Sequence, residues 1–256
     1  SNLKNILARH NPKSIFLVTG KDSYEKSETG SIIGEFLKDY NTTHFNDFEI
    51  NPKLHDIEKG IEIFKKNNPD FVVAVGGGTV MDVAKSVNLF AFNEEQPIEY
   101  LTRRKVISNR GAPLVAVPTT AGTGSEATKF AVIYTEKVKN SLEHDSLLPD
   151  YAIIDPQFAL KIPKKVAASP IMDALCQAIE SYWSINSTQE SKRYAEQAIK
   201  ILVKSLPDAA NNPTIKSAEE LAKAANLAGK AINISKSTAP HAISYPITAY
   251  FDVPHG

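Results

Sequence analysis

The run Phe71-Val72-Val73-Ala74-Val75 is apolar throughout and ends directly in Gly76-Gly77-Gly78-Thr79, after which a helical pattern occupies residues 80–92. An apolar run without polar alternation reads as a strand buried on both faces. When such a strand feeds a helix through glycines, the natural architecture is a parallel sheet covered by helices.

Other segments repeat the theme. Residues 15–19 form a short apolar run bounded by Gly20, and residues 26–40 carry Ile32, Ile33, Phe36 and Leu37 at helical spacing. A second strand is expected over 44–50. Ile57, Ile61 and Phe64 form the inner stripe of a helix that ends before Asn67-Asn68-Pro69. Further strands are expected at 114–117, 130–134 and 152–154, with the polar stretch 135–146 as a hairpin or exposed excursion. After Asp155-Pro156 strand-like runs stop, and Ala, Leu, Ile and Lys recur at helical spacing. The clearest helices there are 193–206 and 218–234, punctuated by Asn211-Asn212-Pro213 and Ser237-Thr238-Ala239-Pro240. A boundary is therefore expected within 156–165. It gives an α/β domain with a parallel sheet over 1–160 and an all-α domain over 161–256.

Charge narrows the partners. With 29 basic and 29 acidic side chains the chain has no global attraction for phosphate backbones or anionic lipid, so neither nucleic acid nor membrane is expected. No apolar run approaches the ~20 residues of a membrane span, and the N-terminus lacks a signal-peptide pattern. The expected compartment is the cytoplasm. Ser1 and Asn2 read as a processed end and are left out of the fold. Cys176 is the only cysteine, which excludes an intramolecular disulfide; a small buried thiol on a helix is the expected role.

Three constellations carry possible chemistry. Gly76-Gly77-Gly78-Thr79 lets backbone N–H groups approach an anion at a helix N-terminus. Asp82, placed in the first turn, suits the helix dipole and can bond a ribose or amide group. The alternative is a tight turn without ligand, although three glycines exceed what a turn needs. Pro118-Thr119-Thr120-Ala121-Gly122-Thr123-Gly124-Ser125-Glu126 follows another strand with similar character. Such loops at the carboxyl edge of a parallel sheet form ligand crevices, and two of them fit a dinucleotide. In the helical half, Asp173 and Gln177 lie four residues apart on one helix face. Together with His241 and His255 they make an N/O donor set for a divalent transition metal. An ordinary polar helix face and structural histidines are the plain alternative.

These segments resemble a known family. Gly76-Gly77-Gly78-Thr79-Val80-Met81-Asp82-Val83-Ala84-Lys85, residues 118–126 as quoted above, Met172-Asp173-Ala174-Leu175 and Pro254-His255-Gly256 are similar to the signatures of iron-containing (group III) alcohol dehydrogenases. They occur in that family's order and span nearly the whole chain. The resemblance implies a dehydroquinate synthase-like fold, with a nucleotide-binding α/β domain followed by a helical metal domain. It implies that Gly77, Gly78, Thr79 and Asp82 hold the cofactor pyrophosphate and nearby groups. Thr119, Thr120 and Thr123 would line the cofactor cleft, with Lys139 reaching it from the polar excursion. Asp173, His241 and His255 would ligate Fe2+ or Zn2+, a Lewis acid for carbonyl reduction by NADP(H) or NAD(H). The substrate would be a small aldehyde or alcohol, and a homodimer is the macromolecular partner left open.

This chain departs from the family pattern in places. The family's second ligand, a histidine four residues after the aspartate, is here Gln177, a weaker donor that favours harder ions. A further family histidine, which assists proton relay, is here Tyr245, a candidate catalytic residue whose reference pKa near ~10 makes it a poor base. Family members continue beyond the position of Gly256 with several more helices, so the expected helical domain is C-terminally incomplete. Residues 172–184 with His241-Ala242-Ile243-Ser244-Tyr245-Pro246 resemble a subgroup associated with phosphonoacetaldehyde reduction. The family position that discriminates NAD from NADP is here Gly20, followed by Lys21, Asp22 and Ser23. A glycine removes the repulsion an acidic residue would exert on a 2′-phosphate, which leans the expectation to NADP(H). Two rival readings stay open: a degenerate nucleotide-binding protein without turnover, and a sugar-phosphate lyase or cyclase on the same fold.

Overall fold

The computed structural model describes residues 2–25, 27–136, 138–159, 164–211, 214–251, 253 and 255. Its strands are β1 (Ser14–Thr19), β2 (Asn41–Phe45), β3 (Phe71–Gly76), β4 (Leu114–Pro118), β5 (Phe130–Thr135), β6 (Val138–Glu143) and β7 (Tyr151–Ala152). Between them run α1 (Asn2–His10), α2 (Lys21–Glu25), α3 (Glu28–Leu37), α4 (Leu54–Asn67), α5 (Gly78–Ala91) and α6 (Pro97–Leu101). Helices then follow one another: α7 (Pro156–Ala159), α8 (Lys164–Trp183), α9 (Gln189–Asn211), α10 (Ile215–Ser235) and α11 (Ala239–Phe251).

Contacts divide the chain into two compact units. The first holds residues 1–118, 129–136 and 140–153; the second holds 119–128, 137–139 and 154–256. The sequence-expected boundary at 160/161 lies outside the described residues, as do Lys26, the Asn212-Pro213 punctuation, and Pro254 and Gly256 of the last motif.

The first unit is a parallel sheet in the order β2-β1-β3-β4-β7. Ile15 pairs with Phe71, Val72 with Leu114, and Val115 with Tyr151. Every residue of β1 and β3 is buried, as the unbroken apolar runs require when helices cover both faces. The core gathers Phe16, Phe45, Phe64, Val72, Val87 and Phe90. β5 and β6 form a separate two-stranded sheet, with β6 falling inside the polar stretch expected as a hairpin or excursion. α3 starts where Ser27 accepts a hydrogen bond from the Gly30 N–H as N-cap.

The edges of the sheet differ from expectation. β2 is Asn41–Phe45 rather than 44–50, because an edge strand is defined by its ladder to β1 and leaves Asn41 and His44 exposed. Ile50, expected inside that strand, is 83% exposed. β7 is only Tyr151–Ala152, although the Ile153 N–H still reaches the Ala116 carbonyl at 2.8 Å. Asn2, set aside from the sequence, opens α1, which buries Leu3 and Leu7.

In the second unit α8, α9 and α10 pack around Ala174, Ala178, Ala198, Leu202, Ala224 and Ala228. Five of these six are alanines, whose small side chains permit close helix approach. Thr214 caps α10, its hydroxyl accepting from the Ser217 N–H at 3.1 Å. Among the described residues no helix is long and apolar enough to cross a membrane.

Candidate functional site

Asp173, Gln177 and Glu180 occupy positions i, i+4 and i+7 of α8, so one face of that helix presents two carboxylates and an amide. All three are buried, at 5%, 5% and 2% exposure. A solvated polar face is therefore excluded. The adjoining stripe, Met172, Cys176 and Trp183, which lies opposite Ala174 and Ala178, is the exposed one. The expected buried thiol is thus corrected: Cys176 lies one turn after Met172, away from the Ala174 and Ala178 side that faces the bundle. Partial desolvation and the charges of Glu180 and Asp173 push its pKa up, which leaves an unactivated thiol.

α11 delivers the histidines. Pro240 sits in its first turn, where a missing N–H breaks no helical bond, and His241 follows, 8% exposed. His241 Nε2 lies 3.2 Å from Asp173 Oδ1, and its Nδ1 lies 2.5 Å from Glu180 Oε1. His255, beyond the helix end, places Nε2 3.9 Å from the same Asp173 oxygen. The ligand atoms of Asp173, His241 and His255 all fall within 4.8 Å of one another.

Hydrogen bonds assign the free lone pairs. The Ser244 hydroxyl donates to the His241 carbonyl at 2.7 Å, so its oxygen accepts from His255 Nδ1 at 3.2 Å. That leaves His255 Nε2 unprotonated and facing Asp173 when the ring is neutral. Burial, aided by the Lys139 charge, holds the His255 pKa below the ordinary histidine value, which favours that neutral ring. Burial also opposes charge on His241, but its bonds to Asp173 and Glu180 outweigh it and raise the pKa. Without a cation, a proton on Nε2 thus mediates between His241 and Asp173.

Gln177 completes the arrangement. Its amide nitrogen donates to the Thr123 carbonyl at 3.2 Å and to Asp173 Oδ2 at 3.1 Å. Both neighbours accept only, so the amide has one possible orientation, and it leaves Oε1 buried without a hydrogen-bond partner. An orphaned oxygen costs roughly 1–3 kcal/mol. The amide that carries it is bonded to the carboxylate that faces two imidazoles, the donor set of a divalent cation, and the residues present fit such an ion.

Around the cluster, Tyr245 and Lys139 come together: the Lys139 ammonium sits 3.5 Å from the Tyr245 ring centroid. Tyr245 also lies 5.7 Å from the His255 ring, centre to centre. Burial raises the phenol pKa above its ordinary value despite a hydrogen bond with Ser237. At neutral pH Tyr245 is therefore a proton donor and not a base.

The loops expected to bind nucleotide are placed as follows. β3 ends at Gly76, Gly77 caps α5, and that helix begins at Gly78. A Cβ on Gly76 would lie 2.4 Å from Val80 Cγ2, so the tight junction itself requires glycine there. Because the helix starts two residues before Val80, Asp82 falls in its second turn, where the dipole effect has faded. Gly20 directly follows β1, and the neighbouring Lys21 ammonium is 3.9 Å from Asp47.

Thr119, Thr120 and Thr123 are half-buried in the loop after β4, within the second unit. Gly124 there adopts φ +62°, and a Cβ would lie 2.7 Å from the Ala225 carbonyl oxygen. Glu126, at the end of the same loop, accepts from Asn226 at 3.0 Å. The loop is thereby fixed against α10 while the Thr123 carbonyl orients Gln177.

The pattern of the family described as iron-containing alcohol dehydrogenase matches residues 1–156, and that of the Fe-containing alcohol dehydrogenase family C-terminal region matches 167–256. The chain belongs to the iron-containing alcohol dehydrogenase family. Long-chain-alcohol dehydrogenase 1 of Geobacillus thermodenitrificans is 34% identical over 220 residues, covering 85% of this chain and 56% of that protein. The 1,3-propanediol dehydrogenase of Citrobacter freundii is 35% identical over 215 residues, covering 83% and 55%. Among solved structures, sulfoacetaldehyde reductase from Bifidobacterium kashiwanohense in complex with NAD+ superposes with a TM-score of 0.93 at 33% identity. It covers 99% of this chain and 68% of that one. The chain spans about half the length of the curated relatives it matches.

Sequence reasoning missed Glu180 and Ser244, which touch the two histidines. Glu180 had a usable signal, since it continues the Asp173 and Gln177 stripe at the next helical position. Ser244 had none, because its partner His255 follows the helix and nothing local announces that contact.

Proposed function

We propose that this chain is the nucleotide- and metal-binding part of an NAD(P)H-dependent alcohol dehydrogenase or aldehyde reductase. The observation that carries this reading is the convergence of Asp173, His241 and His255, with the Gln177 amide bonded to Asp173 through its nitrogen and its oxygen left without a partner. Asp173, His241 and His255, with Gln177 as fourth donor, would hold Fe2+ or Zn2+. Such an ion, when bound, polarises a carbonyl oxygen and stabilises the alkoxide that hydride delivery produces. Gly20, Gly77, Gly78 and Thr79 are the residues proposed to meet the dinucleotide, with backbone N–H groups at the start of α5 turned to its pyrophosphate. Tyr245 holds a proton beside His255 and is a candidate donor to the product oxygen.

For substrate, the subgroup resemblance in α8 and α11 and the likeness to a sulfoacetaldehyde reductase both support a short aldehyde bearing an anionic head, phosphonoacetaldehyde in particular. Lys139 adds a positive charge next to Tyr245 and His255 in that reading. The test is aldehyde-dependent oxidation of NADPH or NADH by the metal-loaded protein. Phosphonoacetaldehyde is expected to exceed acetaldehyde in kcat/KM by about tenfold or more, about 1.4 kcal/mol, and a chelator is expected to abolish turnover. Equal rates on both aldehydes would defeat the anionic substrate. Turnover unaffected by metal removal would defeat the Lewis-acid role. Stoichiometric consumption of cofactor separates this reading from a lyase or cyclase that recycles it.

Cofactor choice follows from Gly20, which brings no carboxylate to the end of β1. Lys21, the next residue, would add positive charge for a 2′-phosphate, but Asp47 competes for it. NADPH is expected to show the lower KM, by roughly the tenfold that about 1.4 kcal/mol supplies. Steady-state comparison of the two cofactors checks it, and an NADH preference reverses the assignment.

A further inference from the structure

We propose that Glu180 is a positioning residue that sets the tautomer and aim of His241 for the cation, an inference that rests on the metal reading above. Its two oxygens divide their work. Oε1 takes the bond from His241 Nδ1 at 2.5 Å, while Oε2 accepts from the Thr238 N–H at 2.6 Å and the Thr238 hydroxyl at 2.8 Å. Thr238 immediately precedes α11, so Glu180 ties the start of that helix to α8 and places negative charge at the positive end of its dipole. One carboxylate therefore fixes both the backbone that carries His241 and the rotation of its ring.

The consequence is chemical as well as steric. With Nδ1–H committed to Glu180, the nitrogen facing Asp173 is Nε2, whose lone pair becomes available once a cation replaces its proton. A carboxylate behind a metal-bound imidazole also raises its basicity, and loss of such an outer partner typically weakens metal affinity by 10–100-fold. Glu180 suits this role because it is 2% exposed and both of its oxygens are engaged by hydrogen bonds, from His241 on one and from Thr238 on the other.

Neighbouring contacts hold the same junction independently. The Ser184 hydroxyl donates to the Ser235 carbonyl at 2.8 Å, Ser235 donates to Ser181 at 2.7 Å, and Trp183 Nε1 donates to Thr238 at 3.1 Å. Removing the Glu180 carboxylate should thus perturb His241 more than the docking of α8.

The test uses the full chain with Co2+ and Zn2+ as probes, measuring dissociation constants by chelator competition and the visible d–d bands of bound Co2+. Glu180→Ala is expected to bind both ions 10–100-fold more weakly with altered cobalt bands. Glu180→Gln keeps the shape but not the charge. Its amide offers one acceptor where two groups need one each, so its affinity should fall between wild type and Glu180→Ala. Should Glu180→Ala fail to fold, Glu180→Gln decides alone. Unchanged affinity and unchanged cobalt bands in a folded variant would overturn the positioning role. So would a loss of thermal stability in the metal-free state with no change in affinity. If the wild type itself binds neither ion, it is the metal reading that fails.

Discussion

Replacing Asp173 with alanine should abolish metal binding and lower kcat/KM for aldehyde reduction by about a thousandfold, the equivalent of roughly 4 kcal/mol of transition-state stabilisation. The size follows from how many interactions end on that one side chain. Asp173 Oδ1 faces both His241 Nε2 and His255 Nε2, and Oδ2 accepts from Gln177. Without it, two imidazoles and an amide converge on a hole, and no other described carboxylate faces both imidazoles to replace the lost charge. Asp173→Asn is the sharper variant, since it keeps volume and removes charge; its NH2 or oxygen must oppose either Gln177 or His241. Metal content by elemental analysis and steady-state kinetics of the loaded protein measure the effect. Retention of metal and of activity within tenfold of wild type in Asp173→Asn would remove the aspartate from the centre. Thermal unfolding of the metal-free variants separates this from simple misfolding, because removing one partner of a buried charged cluster itself costs stability.

Much of this arrangement was legible from the chain alone, for identifiable reasons. β1, β3 and β4 are announced by unbroken apolar runs, because strands covered on both faces leave no polar position to confuse the pattern. The edge strand β2 was misplaced because an edge carries no such obligation, and Asn41-Thr42-Thr43 reads as loop until β1 is beside it. Cys176 shows a similar limit. A small apolar residue fits either side of a helix, and only the packing of Ala174 and Ala178 on the other side reveals that it faces out. At the site, motif spacing fixed which residues to watch, but hydrogen-bond direction could not be read. That Gln177 is turned by the Thr123 carbonyl, and that Ser244 sets the ring of His255, depend on contacts across 54 and 11 residues of chain.

Gln177 stands where the family resemblance implies a histidine ligand, and Gln177→His should tighten Zn2+ binding by about a hundredfold, close to 2.7 kcal/mol. The wild-type amide is held by two acceptors, and its oxygen is buried with no partner. An amide oxygen can offer a cation only a neutral, hard donor, whereas an imidazole is a stronger one for Zn2+ and Fe2+. Harder ions gain less from the exchange, so the ratio of Zn2+ to Mn2+ affinity should rise in the variant along with the absolute affinity. The substitution also gives up the hydrogen bonds to Thr123 and Asp173, which frees the Thr123 carbonyl and loosens the Gly124 loop at that point. If the oxygen of Gln177 is a ligand, the gain in donor strength outweighs those two bonds for Zn2+ and hardly at all for Mn2+. If it is not, both affinities fall together, since only the loss of support for Asp173 remains. Competition titrations with the two ions therefore tell a fourth ligand from a brace, and equal losses would leave Asp173, His241 and His255 as the whole protein contribution to the centre.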